Sequence, residues 1–257
     1  MLKTVYSSLI VLGSFLFHSN IFAQSGQPNI LIIIADDMGI DVTNGYQQNA
    51  QMPVTPHLDS LQASGVKFNN TWAAPQCTPT RAAIMSGKYG IKTGVMRPPG
   101  NLELEHESLF TRINQETNNG YATAVIGKWH INNESDFDHP QNHGVGHYEG
   151  VFNSSVDDYY SWTKTINVTQ ETNPVTEYAT SHFTDQAIGW LNDQDQPWLL
   201  WLAEIAPHSP FHDPPSALHT TPTTNTMSQY LAAIEAMDYE IGRLLDSMDQ
   251  ATRDNTV

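Results

Sequence analysis

Apolar residues along this 257-residue chain fall into two kinds of run. Three are short, at residues 30–35, 121–126 and 198–203, and only Thr123 interrupts them. Apolar runs without polar alternation predict strands covered on both faces, as in a parallel sheet between helix layers. The other runs are amphipathic. Residues 177–192 place Phe183, Ala187, Ile188 and Leu191 on one helical face. Residues 230–248 repeat the pattern with Leu231, Ile234, Met237, Ile241, Leu244, Leu245 and Met248. A third helix is predicted from Pro56, with Thr55 to cap it and Gly65 to stop it. Residues 66–72 then predict a short strand, and residues 108–118 a helix closed by Asn119-Gly120. Buried strands alternating with helices give an α/β fold: a largely parallel central sheet flanked by helices.

Chemistry gathers where these strands end. The first runs into Asp36-Asp37-Met38-Gly39, the second into Gly127-Lys128-Trp129-His130, and the third toward His208. In open α/β sheets, ligands bind beyond the carboxyl ends of the strands. Two adjacent carboxylates there repel each other unless a cation joins them, and hard oxygens suit calcium or magnesium. The plainer reading of Asp36 and Asp37 is a solvated turn. In extended backbone Lys128 and His130 project to one side, a cation and an imidazole suited to an anion. His208 is placed for a general acid.

Cys77 is the only cysteine. It stands where a loop enters a helix, with Pro79 in the first turn and Ser86-Gly87 at the end. Free N–H groups at a helix start favour an anion. Arg81, one turn on, can bring its guanidinium to the same ligand. A sulfur and a fork of donors facing one point suit a tetrahedral oxyanion, sulfate or phosphate. The alternative is a buried, inert thiol.

Charge narrows the options. The chain carries 27 Asp+Glu against 11 Lys+Arg, which excludes the basic face a nucleic-acid binder needs. Residues 1–24 have the form of a secretory signal peptide: Lys3, an apolar core at 9–17, and a cleavage site near Ala23. The apolar core is too short to span a bilayer, so the expected product is exported, periplasmic or secreted, and free of the membrane after cleavage. Residues 132–176 are polar and aromatic and are expected to wall a pocket. His139, His143 and His147 are four apart, but Pro140, Gly144 and Gly146 argue against one helix presenting them to a metal. His57 is expected to be structural and His212 a rim residue. Glycosylation sequons stand at Asn69, Asn133, Asn153 and Asn167.

Cys77-Thr78-Pro79-Thr80-Arg81, followed by an alanine-rich helix and glycine, resembles the signature of the type I, formylglycine-dependent sulfatases. Thr80 and Ser86 depart from its usual residues. Asp-Asp-Met-Gly after the first strand, Gly-Lys-Trp-His after the second and His-x-Pro after the third resemble three further elements, in family order. Asn142-His143-Gly144 and the helix around residues 238–245 add to this. The resemblance implies an arylsulfatase-like hydrolase of the alkaline-phosphatase-like superfamily. It implies catalytic roles for Cys77, Arg81, Lys128, His130 and His208, with Cys77 oxidised to formylglycine by a separate maturation enzyme. Asp36, Asp37 and residue 77 would bind calcium, in preference to magnesium. The substrate would be a sulfated small molecule or carbohydrate. The same superfamily includes phosphoester and phosphonate monoester hydrolases. The family continues with an apolar strand ending in Asp-Asn-Gly, a further lysine and a smaller domain. Residues 25–257 are therefore expected to be a catalytic domain cut before its last metal-binding strand, which leaves a non-catalytic remnant as the other reading.

Overall fold

The computed structural model describes residues 26–46, 49–132 and 135–257. The signal-peptide segment and Asn133 lie outside them. In chain order the elements are β1 (Ile30–Asp36), a 3-10 turn, α1 (Pro56–Ser64), α2 (Cys77–Ser86), α3 (Gly90–Thr93), α4 (Leu109–Glu116) and β2 (Ala122–Gly127). They continue as α5 (His139–Asn142), β3 (His147–Gly150), β4 (Thr165–Ile166), β5 (Thr169–Gln170), α6 (Ala179–Asn192), β6 (Trp198–Pro207), α7 (Thr226–Ser247) and α8 (Gln250–Asp254). The sheet runs β1-β6-β2-β3-β4-β5. Its first four strands are mutually parallel, and β4 and β5 return antiparallel.

The side-chain alternation of β6 explains the two helix layers. Leu200 and Leu202 face α6 and α7, packing with Phe183, Ala187, Met237, Ile241 and Leu244. Leu199, Trp201 and Ala203 face the other way, onto Ala82 and Met85 of α2 and Phe110 of α4. β6 is buried at every position, as its unbroken apolar run predicts.

Three expectations change. β1 is only half-buried along most of its length, because it is the sheet edge. Beyond β6, its described backbone partner is Val257, whose carbonyl accepts from Leu31 N, while Asn255 and Val257 also pair with Asn29 just before the strand. Residues 66–72 form no strand. Val66, Phe68 and Trp72 are exposed, and no described strand offers their amides a ladder. The long helix begins earlier than its apolar stripe, at Thr226, because Asn225 and Ser228 form a capping box.

One core residue contradicts its surroundings. Glu204 on β6 is fully buried, and neither carboxyl oxygen has a hydrogen-bond partner. Burial, with Glu240 nearby, raises its pKa well above the ordinary carboxylate value. The fold therefore holds a neutral acid. Its contribution is complete below the unfolded value and is lost as pH rises toward the folded one. Glu204→Met should raise stability by about 1–3 kcal/mol, the cost of an unsatisfied buried polar group. The gain should be larger at about pH 8 than at about pH 5, read as urea midpoints. An equal gain at both would mean that Glu204 does not titrate against the fold.

Candidate active site

The carboxyl ends of β1, β2 and β6 meet the start of α2. Cys77 is the first residue of α2, and Gln76 before it is extended. The helix is held in place because Ala82 and Met85 are buried against Val95, Leu102 and Phe110. Cys77 is half-buried and its sulfur lies 3.3 Å from His130 Nδ1. Thr78 Oγ1 lies at the same distance from that nitrogen.

Lys128 and His130 converge on the site, but not by simple alternation along a strand. β2 ends at Gly127, whose φ is +106°, and His130 has φ +49°. Only glycine fits at 127, where a Cβ would lie 2.0 Å from the Ala203 carbonyl oxygen. The turn sends Lys128 into the interior. It is wholly buried, with Nζ paired to Asp36 Oδ2. Arg81 is also buried and lies 3.6 Å from the same Oδ2. Its Nη1 donates to the Lys128 carbonyl at 2.8 Å, while Nε and Nη2 lack hydrogen-bond partners. Burial lowers the Arg81 pKa, against the pull of Asp36 and Cys77. One carboxylate thus faces two buried cations. That excess of positive charge, with unused guanidinium donors, suits an incoming anion.

Burial, then Lys128 and Arg81, lowers the pKa of His130 to about 4. The imidazole is neutral near pH 7 and can take a proton from residue 77. His208 follows β6 directly, and its Nε2 lies 3.5 Å from Asp37 Oδ2. Asp37 adopts φ +65° and its side chain is 61% exposed. Tyr230 of α7 braces this turn: its hydroxyl donates to the Asp37 carbonyl and accepts from Gly39 N, each at 3.0 Å. No sequence signal singles out Tyr230, which sits in an ordinary helix. Thr78 was visible only as a neighbour of Cys77.

Asp36, Asp37, Cys77 and Arg81 line one open cleft with Ala73–Gln76. The two carboxylates offer hard oxygens, which fit calcium in kind. They do not complete a shell: among the described residues no three His, Cys, Asp or Glu side chains are grouped to hold a metal.

His139, His143, His57 and His212 take structural positions. Nε2 of both His139 and His143 lies within hydrogen-bond reach of the Leu102 carbonyl, at 3.0 and 2.9 Å. Trp129 Nε1 donates to His139 Nδ1 at 3.1 Å. The pair therefore pegs the loop carrying Lys128 and His130. His57 packs over Gly242, where a Cβ would meet its ring at 2.3 Å. His212 is more than a rim residue: it stacks on Tyr159 at 3.8 Å and reaches the Tyr178 hydroxyl at 3.1 Å.

Fold and site together define an α/β protein with two buried cations and unused guanidinium donors at the carboxyl edge of its parallel strands. Residues 28–257 match the Sulfatase family model, and the chain belongs to that family. It is 38% identical to human arylsulfatase D over 145 residues, covering 50% of this chain and 24% of that protein. It is 26% identical to mouse arylsulfatase G over 277 residues, covering 91% of this chain and 50% of that protein. The chain thus spans half or less of the length of these relatives. Among solved structures it resembles Ps i-CgsB in complex with k-i-k-neocarrahexaose, with a TM-score of 0.74 at 24% identity, covering 90% of this chain and 57% of that one. It also resembles BT4656 in complex with its substrate D-glucosamine-2-N,6-O-disulfate, with a TM-score of 0.68 at 21% identity, covering 90% and 64%. Those likenesses establish the alkaline-phosphatase-like fold expected from the sequence.

Proposed function

We propose that this protein hydrolyses sulfate esters at a residue derived from Cys77. The observation that carries the proposal is the setting of that residue. It opens α2 within 3.3 Å of a neutral imidazole, beside two buried cations that share one carboxylate. A separate maturation enzyme would oxidise Cys77 to formylglycine. Hydrated, that aldehyde supplies one hydroxyl to attack sulfur and a second whose deprotonation releases sulfate.

Each remaining role falls to a residue in place. Arg81 and Lys128 offset charge on the sulfate oxygens from fixed, dry positions. His130 Nδ1 faces residue 77 and takes its proton. His208 Nε2, across from Asp37, gives a proton to the departing alcohol. Asp36 and Asp37 would hold calcium, which adds positive charge beside the sulfate; the oxygens to complete its shell come from further groups. A sulfated carbohydrate is the proposed substrate class, supported by the saccharide complexes of the two structural relatives. Export through residues 1–24 remains part of the proposal. No described helix is long and apolar enough to cross a membrane.

Maturation is tested by mass spectrometry. Co-produced with a formylglycine-generating enzyme, the protein should yield a residue-77 peptide with the mass of formylglycine. Recovery of cysteine alone would contradict the proposed nucleophile.

A further inference from the structure

Cations are scarce in this chain, and most of them are paired. Among the described residues Arg81, Lys128, Arg112, Lys164, Arg243 and Arg253 each face a carboxylate. Lys67 donates to the Gly45 carbonyl at 3.0 Å and lies over the Tyr46 ring. Lys88, Lys92 and Arg97 remain, exposed and paired with no described carboxylate, in a stretch (88–97) without Asp or Glu. The same stretch exposes Tyr89 (83%), Ile91 (80%) and Met96 (64%). Apolar groups exposed together mark a contact surface, and the cations among them set its sign. The turn of α3 holds these side chains in place. Thr93 and Val95 are buried between them, and Val95 packs with Leu102 and Phe110. Gly94 N donates to the Gly90 carbonyl at 2.8 Å, and a Cβ at Gly90 would lie 2.6 Å from the Val95 carbonyl oxygen. The acids that follow in sequence have partners of their own. Glu103 accepts from Asn101 at 2.9 Å, Glu105 lies 3.9 Å from His106, and Glu107 lies 3.7 Å from Arg112. Lys88 Nζ lies 3.5 Å from His106 Nδ1.

We propose that residues 88–97 form a second anion-binding surface, which holds a sulfated polysaccharide while one of its esters enters the cleft. The anionic character of the ligand follows from the surface; its being a sulfated sugar polymer rests on the proposed function. Such a polymer alternates charged groups with the apolar faces of its rings, and so matches cations set between Tyr89, Ile91 and Met96. A membrane fits less well, because α3 is four residues long and offers no extended apolar face to lie in a bilayer. α2 joins the two regions: Cys77 opens it, and Ser86 closes it just before Lys88. At about 1.5 Å per residue they stand roughly 15 Å apart, a span of a few sugar rings. The chain as a whole, at a net charge of −16, repels polyanions, so any retention of one must be local.

The test is isothermal titration calorimetry of the unmatured protein with dextran sulfate, with neutral dextran as the control polymer. The parent should bind dextran sulfate and not dextran. The triple variant Lys88→Gln, Lys92→Gln, Arg97→Gln should bind at least roughly tenfold more weakly at about 50 mM salt. Its slope of log Kd against log salt should fall by about one for each cation engaged. Tyr89→Ala should weaken binding roughly threefold and leave the slope unchanged. The double variant Arg112→Gln, Arg253→Gln removes two paired cations and should bind like the parent. All these positions are exposed, so each variant should keep the parental urea midpoint. A parent that does not bind, a triple variant that binds as well as the parent, or an equal loss in the double variant overturns the proposal. Displacement by inorganic sulfate, together with loss of binding in Arg81→Ala, overturns it too, because the polymer would then sit in the cleft alone. Binding to phosphatidylglycerol vesicles but not to dextran sulfate would assign the surface to a membrane and overturn it. The proposed hydrolysis stands or fails on turnover, which none of these readouts uses.

Discussion

Asp36→Ala should destabilise the metal-free protein by about 3–5 kcal/mol, the cost of stranding buried charge. Lys128 and Arg81 both turn to Asp36 Oδ2 from buried positions. Removing the carboxylate leaves two buried cations without their shared counter-charge. Asp37→Ala is the control. Its side chain is 61% exposed and faces only His208 at 3.5 Å, so it should cost about 0–1 kcal/mol. The two adjacent carboxylates thus differ in the folded protein: Asp36 holds two buried cations through one oxygen, and Asp37 stands open. Urea midpoints of the two variants, without added metal, make the comparison. Equal losses would mean that the buried ion cluster contributes no more than an exposed pair.

Arg81→Ala should reduce turnover of an aryl sulfate by about 10²–10³, the effect of removing one preorganised donor. Arg81→Lys should recover little of it. The guanidinium reaches the Lys128 carbonyl with Nη1 and still presents Nε and Nη2 unpaired. A lysine offers a point charge in place of that planar fork. The loss should appear in kcat rather than only in KM, because a preorganised donor contributes where it binds the transition state better than the ground state. An Arg81→Lys enzyme with parental kcat would show that charge alone suffices there.

Long, uniform patterns in the sequence were sufficient to find the core. The unbroken run of β6 and the stripe of α7 specify their layers, because each contacts many neighbours through a regular period. Residues at strand ends were equally legible: Asp36, Lys128, His130 and His208 all reach the cleft or its immediate surroundings. What failed depends on partners far along the chain. Residues 66–72 carry a strand-like composition, yet no described strand pairs with them. β3, β4 and β5 are two to four residues long, too short for alternation to register. The convergence of Lys128 and His130 comes from the turn at Gly127 and the left-handed backbone of His130, which side-chain alternation does not predict. Tyr230 lies in an ordinary helix, and only its distances reveal it.

Residue 77, once matured, is proposed to be a nucleophile toward sulfate esters. The most direct test measures hydrolysis of 4-nitrophenyl sulfate and 4-nitrophenyl phosphate, with calcium, by the matured protein and by Cys77→Ala. The matured protein should prefer the sulfate ester, and Cys77→Ala should lose this activity while keeping its fold. Sulfate turnover that survives in Cys77→Ala, or a clear preference for the phosphate ester, would contradict that role.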